Sequence, residues 1–217
     1  MTPKYKRILL KFSGETLGGE QGSGFDYDTI RTLAESVIAV HNLNVEVGIV
    51  IGGGNIFRGG RSTDGNIGRV AGDHMGMLAT VINSICLQEM LEQRGVLTRV
   101  LSAIELNAIA EPYIKRRADR HLEKNRVVIF AAGTGNPYFT TDTAAVLRAS
   151  EVGAEIVIKA TKTNGVYDKD PLTNSDAVRY VKLSYDEVLN KNLKVMDATA
   201  IAFCRDNKLP IMVLDYR

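Results

Sequence analysis

Only two cysteines occur in the 217 residues. Cys86 and Cys204 stand far apart in helix-like contexts without metal-ligand spacing, which excludes a disulfide framework and a thiolate metal site. They read as packing thiols of a reduced, cytoplasmic chain. Strong charge of either sign is also missing: 27 basic and 25 acidic residues leave a net charge of +2. No whole-molecule field therefore draws the chain to nucleic acid or to a membrane, and any anion recognition is local. The apolar run before Lys11 is too short for a signal-peptide core, and no later run reads as long enough to span a bilayer, which takes about 20 residues. Both common phosphate-binding signatures are absent. There is no G-x-x-x-x-G-K-[ST], and neither Gly52-Gly53-Gly54 nor Gly133-Thr134-Gly135 completes a G-x-G-x-x-G. A P-loop enzyme and a Rossmann dehydrogenase are disfavoured. No internal repeat or low-complexity linker breaks the chain, and 45% hydrophobic residues suffice for one substantial core.

What is present is an alternation of periods. Apolar residues fall at helical spacing over 28–40 and over 77–91, each followed by a β-rich run, at 45–51 and at 98–101. Pro112 suits the first turn of a helix over 113–124, and a strong strand follows from Arg126. Residues 142–152 read as a helix capped by Thr141 or Asp142 and ended at Gly153. Nearly continuous apolar strands alternating with helices predict an α/β fold with a mainly parallel sheet covered on both faces. Glycine-rich stretches at 14–24 and 59–68 read as long surface loops of the kind that serve as lids or binding loops. Beyond Thr163 the texture changes to a turn at 167–171, a short strand at 178–183, a helix capped by Ser184, a helix over 197–206 and a last strand at 210–214. Whether this third is a separate lobe stays open.

Four apolar segments end directly in polar or glycine-rich turns: at Lys11-Phe12-Ser13-Gly14, at Gly52-Gly53-Gly54-Asn55, at Gly133-Thr134-Gly135-Asn136-Pro137 and at Lys159-Ala160-Thr161-Lys162. In open α/β sheets, ligands bind outside the carboxyl ends of the strands. Glycine, hydroxyl and cation at four such ends describe a phosphate pocket. Lys11 either meets an anion there or snorkels to solvent. The triple glycine either lets amides approach a ligand or makes a tight turn with positive φ. Arg58 reads equally as a phosphate fork or as an exposed loop residue. Asp73 is best placed as a helix N-cap. The segment 134–141 offers hydroxyls and amides at a helix start.

The strings Lys11-Phe12-Ser13-Gly14-Glu15, Ile51-Gly52-Gly53-Gly54-Asn55-Ile56-Phe57-Arg58-Gly59, Gly72-Asp73-His74-Met75-Gly76-Met77-Leu78-Ala79-Thr80, Ala132-Gly133-Thr134-Gly135-Asn136-Pro137-Tyr138-Phe139-Thr140-Thr141-Asp142 and Val195-Met196-Asp197 together resemble the bacterial UMP kinases of the amino acid kinase family. The resemblance covers nearly the whole chain. It implies a three-layer αβα sandwich with a mainly parallel central sheet, conversion of UMP to UDP with ATP and Mg²⁺, and a cytoplasmic homohexamer with GTP and UTP as effectors. It makes Lys11, Phe12, Ser13, Gly14, Gly54 and Arg58 contacts for ATP, with Thr161, Tyr167 and Asp170 on the base and ribose side. It makes Gly53, Asp73, Thr134, Gly135, Asn136, Pro137, Tyr138, Phe139, Thr140 and Thr141 contacts for UMP. Lys11, Arg58, Asp142 and Asp197 would be catalytic; the two carboxylates either orient Lys11 or bind Mg²⁺ through water, and helix capping stays open for both. In this reading 1–217 is a single domain, with 1–160 nearer the phosphate acceptor and 161–217 nearer the ATP base. Two departures stand out. Asn164 replaces a family aspartate within Lys162-Thr163-Asn164-Gly165, and family members continue past Arg217 into a further glycine-containing segment and strand, so a sheet edge is expected to be missing. The alternatives are a relative acting on a carboxylate or carbamate, which would not need the 134–141 string, and a nucleotide-binding regulator without catalysis.

Overall fold

A computed structural model describes residues 3–58 and 67–216. Its strands, in chain order, are β1 (Arg7–Phe12), β2 (Glu46–Ile51), β3 (Thr98–Ser102), β4 (Glu111–Pro112), β5 (Val127–Ala131), β6 (Ile156–Thr161), β7 (Val166–Tyr167), β8 (Arg179–Tyr180) and β9 (Ile211–Asp215). Seven of them form one sheet in the order β4-β3-β5-β2-β1-β6-β9, and every pairing in it is parallel. The strands β7 and β8 form a separate antiparallel pair.

Successive side chains of a strand face opposite ways, so a strand apolar at every position must be covered twice. Along β1, Ile8, Leu10 and Phe12 enter one core while Leu9 enters the other; Ile129 and Phe130 divide in the same manner on β5. The first core is closed by α2 (Tyr27–His41) and α3 (Arg69–Glu92), and the second by α4 (Lys115–Glu123), α5 (Thr141–Glu151) and α7 (Ala198–Asn207). Two short helices, α1 (Gly14–Leu17) and α6 (Tyr185–Asn190), complete the set. The result is the expected three-layer αβα sandwich. Ser184 caps α6 in a capping box with Glu187, as the sequence suggests.

Several boundaries differ from expectation. Pro112 lies in β4 and α4 starts only at Lys115. The glycine-rich stretch after Lys11 is not all surface loop, because Gly14, Thr16 and Leu17 are buried in α1. Most of the other glycine-rich stretch, 59–66, lies outside the described residues. The helix expected from residue 77 begins at Arg69. By length and composition this α3 could cross a bilayer, contrary to the reading that no run is long enough. Its inner face packs on the sheet with Thr80, Asn83 and Ser84 buried and hydrogen-bonded, as in a core helix. Its outer face exposes Met75, Leu78, Ile82 and Ile85.

Candidate functional site

The chain leaves β1 on one side for β2 and returns on the other at β6, so the ends of these strands flank a point where strand order reverses. Lys11 sits there with 6% exposure. Its Nζ lies 2.5 Å from Oδ1 of Asp142, in the first turn of α5. The other carboxylate oxygen of Asp142 is 3.3 Å from Nζ of Lys159. Burial raises the pKa of Asp142, but the two ammonium groups outweigh it and hold the carboxyl below its ordinary value. Asp142 thus pairs with both lysines, and the cap of α5 is the neighbouring Thr140, whose hydroxyl accepts from the N–H groups of Asp142 and Thr143. Asp197 is a helix cap with further partners, and Lys11 is not among them. It caps α7 through the Ala200 N–H at 2.9 Å and accepts hydroxyl bonds from Thr140 and Thr143.

At three of the glycines after β1 and β2, Gly14, Gly52 and Gly53, close packing leaves no room for a side chain. A Cβ on Gly14 would stand 2.5 Å from the Gly54 nitrogen, and one on Gly53 would stand 2.8 Å from the Gly76 carbonyl oxygen of α3. Positive φ is not the reason, since the backbone positions with positive φ do not include 52–54. Gly54 is the least crowded of the three, with nothing nearer than 3.8 Å, and there a ligand could use the space. Arg58 donates from Nε to the Gly54 carbonyl at 3.1 Å and pairs with Glu15 at 2.7 Å, which fixes it over this turn. Phe12 turns its side chain into the core, leaving only its backbone to a ligand. Ser13 precedes α1 without capping it.

After β5 the backbone takes left-handed conformations at Ala132, Gly133, Gly135 and Tyr138. Such geometry costs energy at the non-glycine positions and persists only where the surroundings impose it. Here α3 imposes it. Thr80 Oγ1 accepts from the Ala132 N–H at 2.8 Å, and Asp73 Oδ2 accepts from the Tyr138 N–H at 2.7 Å. Asp73 is therefore not the expected N-cap, because Gly68 takes that place and Asp73 lies a turn inside the helix. Burial pushes its pKa up, but the Tyr138 N–H and the Arg69 guanidinium outweigh this and keep it ionised below the ordinary range. Thr134 closes the turn by accepting from the Asn136 N–H, while Asn136, Tyr138, Phe139 and Thr140 stay exposed around Pro137.

On the far side of β6, Thr161, Tyr167 and Asp170 line one cavity of about 500 Å³ together with Lys159 and Val195. Asn164 accepts from the Tyr167 hydroxyl at 2.5 Å, a bond that needs an oxygen but not a charge. Asn164 supplies that oxygen.

Comparison with known proteins agrees with this geometry. Residues 6–215 match the model of the Amino acid kinase family. The chain belongs to the amino acid kinase family. It is 60% identical over 211 residues to the uridylate kinase of Sulfurimonas denitrificans, covering 97% of this chain and 89% of that protein. The uridylate kinase of Methylococcus capsulatus is 56% identical over 213 residues, covering 98% and 89%. Among solved structures, the UMP kinase of Bacillus anthracis superposes with a TM-score of 0.94 at 40% identity, covering 99% of this chain and 88% of that one. The uridylate kinase of Archaeoglobus fulgidus gives 0.72 at 25% identity, covering 95% and 89%.

A kinase of this family implies a divalent cation. Both oxygens of Asp142 are held by lysines, and those of Asp197 by hydroxyls and an N–H. Among the described residues no group of three His, Cys, Asp or Glu side chains could hold a metal ion. This donor set does not fit a resident cation, and Mg²⁺ would arrive with the nucleotide substrate.

The structure also brings in residues that the sequence reading passed over. Asn55 and Asn83 form a buried reciprocal amide pair, and Asn83 Nδ2 also donates to the Gly52 carbonyl at 2.7 Å, which welds the glycine turn to α3. An asparagine in a helix carries no such signal by itself.

Proposed function

We propose that this chain transfers the γ-phosphoryl group of magnesium-bound ATP to UMP, giving UDP and ADP in pyrimidine nucleotide synthesis. One observation carries the reading: a chain 56–60% identical to uridylate kinases places Lys11, Asp142, Arg58 and the 134–141 turn at neighbouring strand ends.

The chemistry follows from what these groups can do. The UMP phosphate is mostly dianionic near neutral pH, its second pKa being about 6, so the nucleophile needs no general base. Catalysis then rests on alignment and on neutralising charge spread over the transferred group. Lys11, aimed by Asp142, and Arg58, braced by Glu15, are the cations for that task. The turn after β5 receives UMP, with Gly53 and Asp73 behind it. Thr161, Tyr167 and Asp170 receive the adenosine end, in keeping with 1–160 nearer the acceptor and 161–217 nearer the ATP base. The Thr140 hydroxyl is already committed to Asp197 and to the α5 cap, so Thr141 is the better candidate to read the uracil ring.

Formation of UDP from UMP and MgATP in a coupled assay tests the activity. No UDP would refute it and favour a nucleotide-binding regulator; phosphorylation of a carboxylate or carbamate instead would favour another branch of the family. Uracil offers N3–H where cytosine offers a bare acceptor, and a site that hydrogen-bonds one ring leaves polar groups unpaired with the other. UMP is expected to exceed CMP by at least about a hundredfold in kcat/KM. In the same reading the protein works in the cytoplasm as a homohexamer that responds to GTP and UTP. The exposed apolar stripe of Met75, Leu78, Ile82 and Ile85 on α3 supports self-association.

A further inference from the structure

Lys159 opens the polar end of β6 and carries no role in the family resemblance, yet its place in the fold is specific. It pairs in register with Lys11 across the parallel strands β1 and β6. Register partners on parallel strands face the same side, here the side of α5, and both ammonium groups converge on Asp142. Two cations thus share one carboxylate in a site where Lys11 is 8% and Lys159 20% exposed at the side chain. Asp197 compensates only at longer range, because its oxygens are engaged by Thr140, Thr143 and the Ala200 N–H. An excess of buried positive charge is costly until an anion arrives. Burial, reinforced by Lys11 and opposed by Asp142, holds the Lys159 ammonium below the ordinary lysine range.

The second observation concerns direction. Lys159 and Val195 both line the cavity that holds Thr161, Tyr167 and Asp170, whereas Lys11 does not. Lys159 stands at the wall between that cavity and the Lys11–Asp142 pair. It donates to the Val195 carbonyl and to Asp142, and an ammonium has three N–H donors. One donor is left for the cavity.

We propose that Lys159 is a second cation of the transfer site that binds the phosphate chain of the donor nucleotide, while Lys11 serves the group in transit. This rests on the phosphoryl-transfer reading above, and its test is separable from that reading. The Lys159→Gln variant of the full chain keeps an amide donor for Val195 or Asp142 but loses the charge. Calorimetric titration with MgADP needs no turnover, so it reports on Lys159 even for a protein that makes no UDP. Affinity for MgADP is expected to fall at least about tenfold, with ATP KM rising in parallel and UMP KM changing less than about threefold. A folded variant whose MgADP affinity stays within about threefold of wild type overturns the proposal, and so does a fall in kcat with ATP KM unchanged, which would mark Lys159 as a positioning residue only. Should the variant not fold, acylation of wild-type lysines read by peptide mass spectrometry takes its place. Saturating MgADP is expected to protect Lys159, and equal labelling with and without MgADP overturns the proposal.

Discussion

At the ends of β1 and β6 the charged groups are buried or half-buried and hold one another, with Lys11 at 6% exposure, whereas the turn after β5 leaves Tyr138 64% and Phe139 52% exposed. In the first region position is set by ion pairs in a low-dielectric setting, where electrostatic forces are strong and removing a partner strands the other. In the second it is set by a backbone in left-handed conformations, pinned to α3 by Thr80 and Asp73 through one hydrogen bond each. On the proposed reading, the buried end is preorganised for charge development and the exposed end for recognition. Mutations should therefore separate into losses of turnover on one side and losses of affinity or selectivity on the other.

The largest effect is expected from Lys11→Ala. Its loss should remove about 2.7–4 kcal/mol of transition-state stabilisation, the size found for one electrostatic donor, with UMP KM nearly constant. Steady-state rates within threefold of wild type would break the division between the two regions. Asp142→Asn should come next, since it leaves two lysines facing each other: about 3 kcal/mol of stability lost, measured by urea denaturation at neutral pH. A pH series sharpens the point. The folded pKa of Asp142 lies below its unfolded value, so its contribution is present above about pH 4 and disappears as pH falls through the folded pKa. The Asn variant should lack that step in its acid unfolding curve.

On the exposed side, Asp73→Asn should raise UMP KM about tenfold through loss of a charged acceptor, with little change in melting temperature. An unaltered KM would mean that the Tyr138 contact only shapes the turn. The smallest effect is expected from Thr140→Val, which removes the α5 cap at a cost of about 1 kcal/mol, seen as a lower melting temperature, without altering the choice between UMP and CMP. Thr141→Val should show the opposite pattern; equal selectivity in both variants would assign the reading of the base to backbone groups.

Much of the candidate site could be read in the chain because its parts are local. An apolar run that ends in Lys11-Phe12-Ser13-Gly14 or in Gly52-Gly53-Gly54 announces a strand and its turn within a few residues. Other parts were not readable in that way. Asp73 looks like a cap when the start of α3 is placed too late, since 69–76 are mixed in polarity and give no clear helical stripe. Pro112 fits a helix start by its fixed φ, yet the pairing of Glu111 and Pro112 with Leu101 and Ser102 makes it an edge strand. Lys159 was legible only as a cation at a strand end; its partners Lys11 and Asp142 were not, because they come from β1 and α5.

The sequence by itself determined the alternation of helix and strand, the two-sided burial of the sheet and the glycine and hydroxyl turns, because periodicity and turn chemistry act between near neighbours. Only the tertiary structure decided which cations share Asp142, which helix pins the turn after β5, and why Gly14 and Gly53 can be nothing larger. Those facts depend on strand register and on backbone approach between segments distant in the chain, and no pattern of neighbouring residues encodes a distance across a sheet.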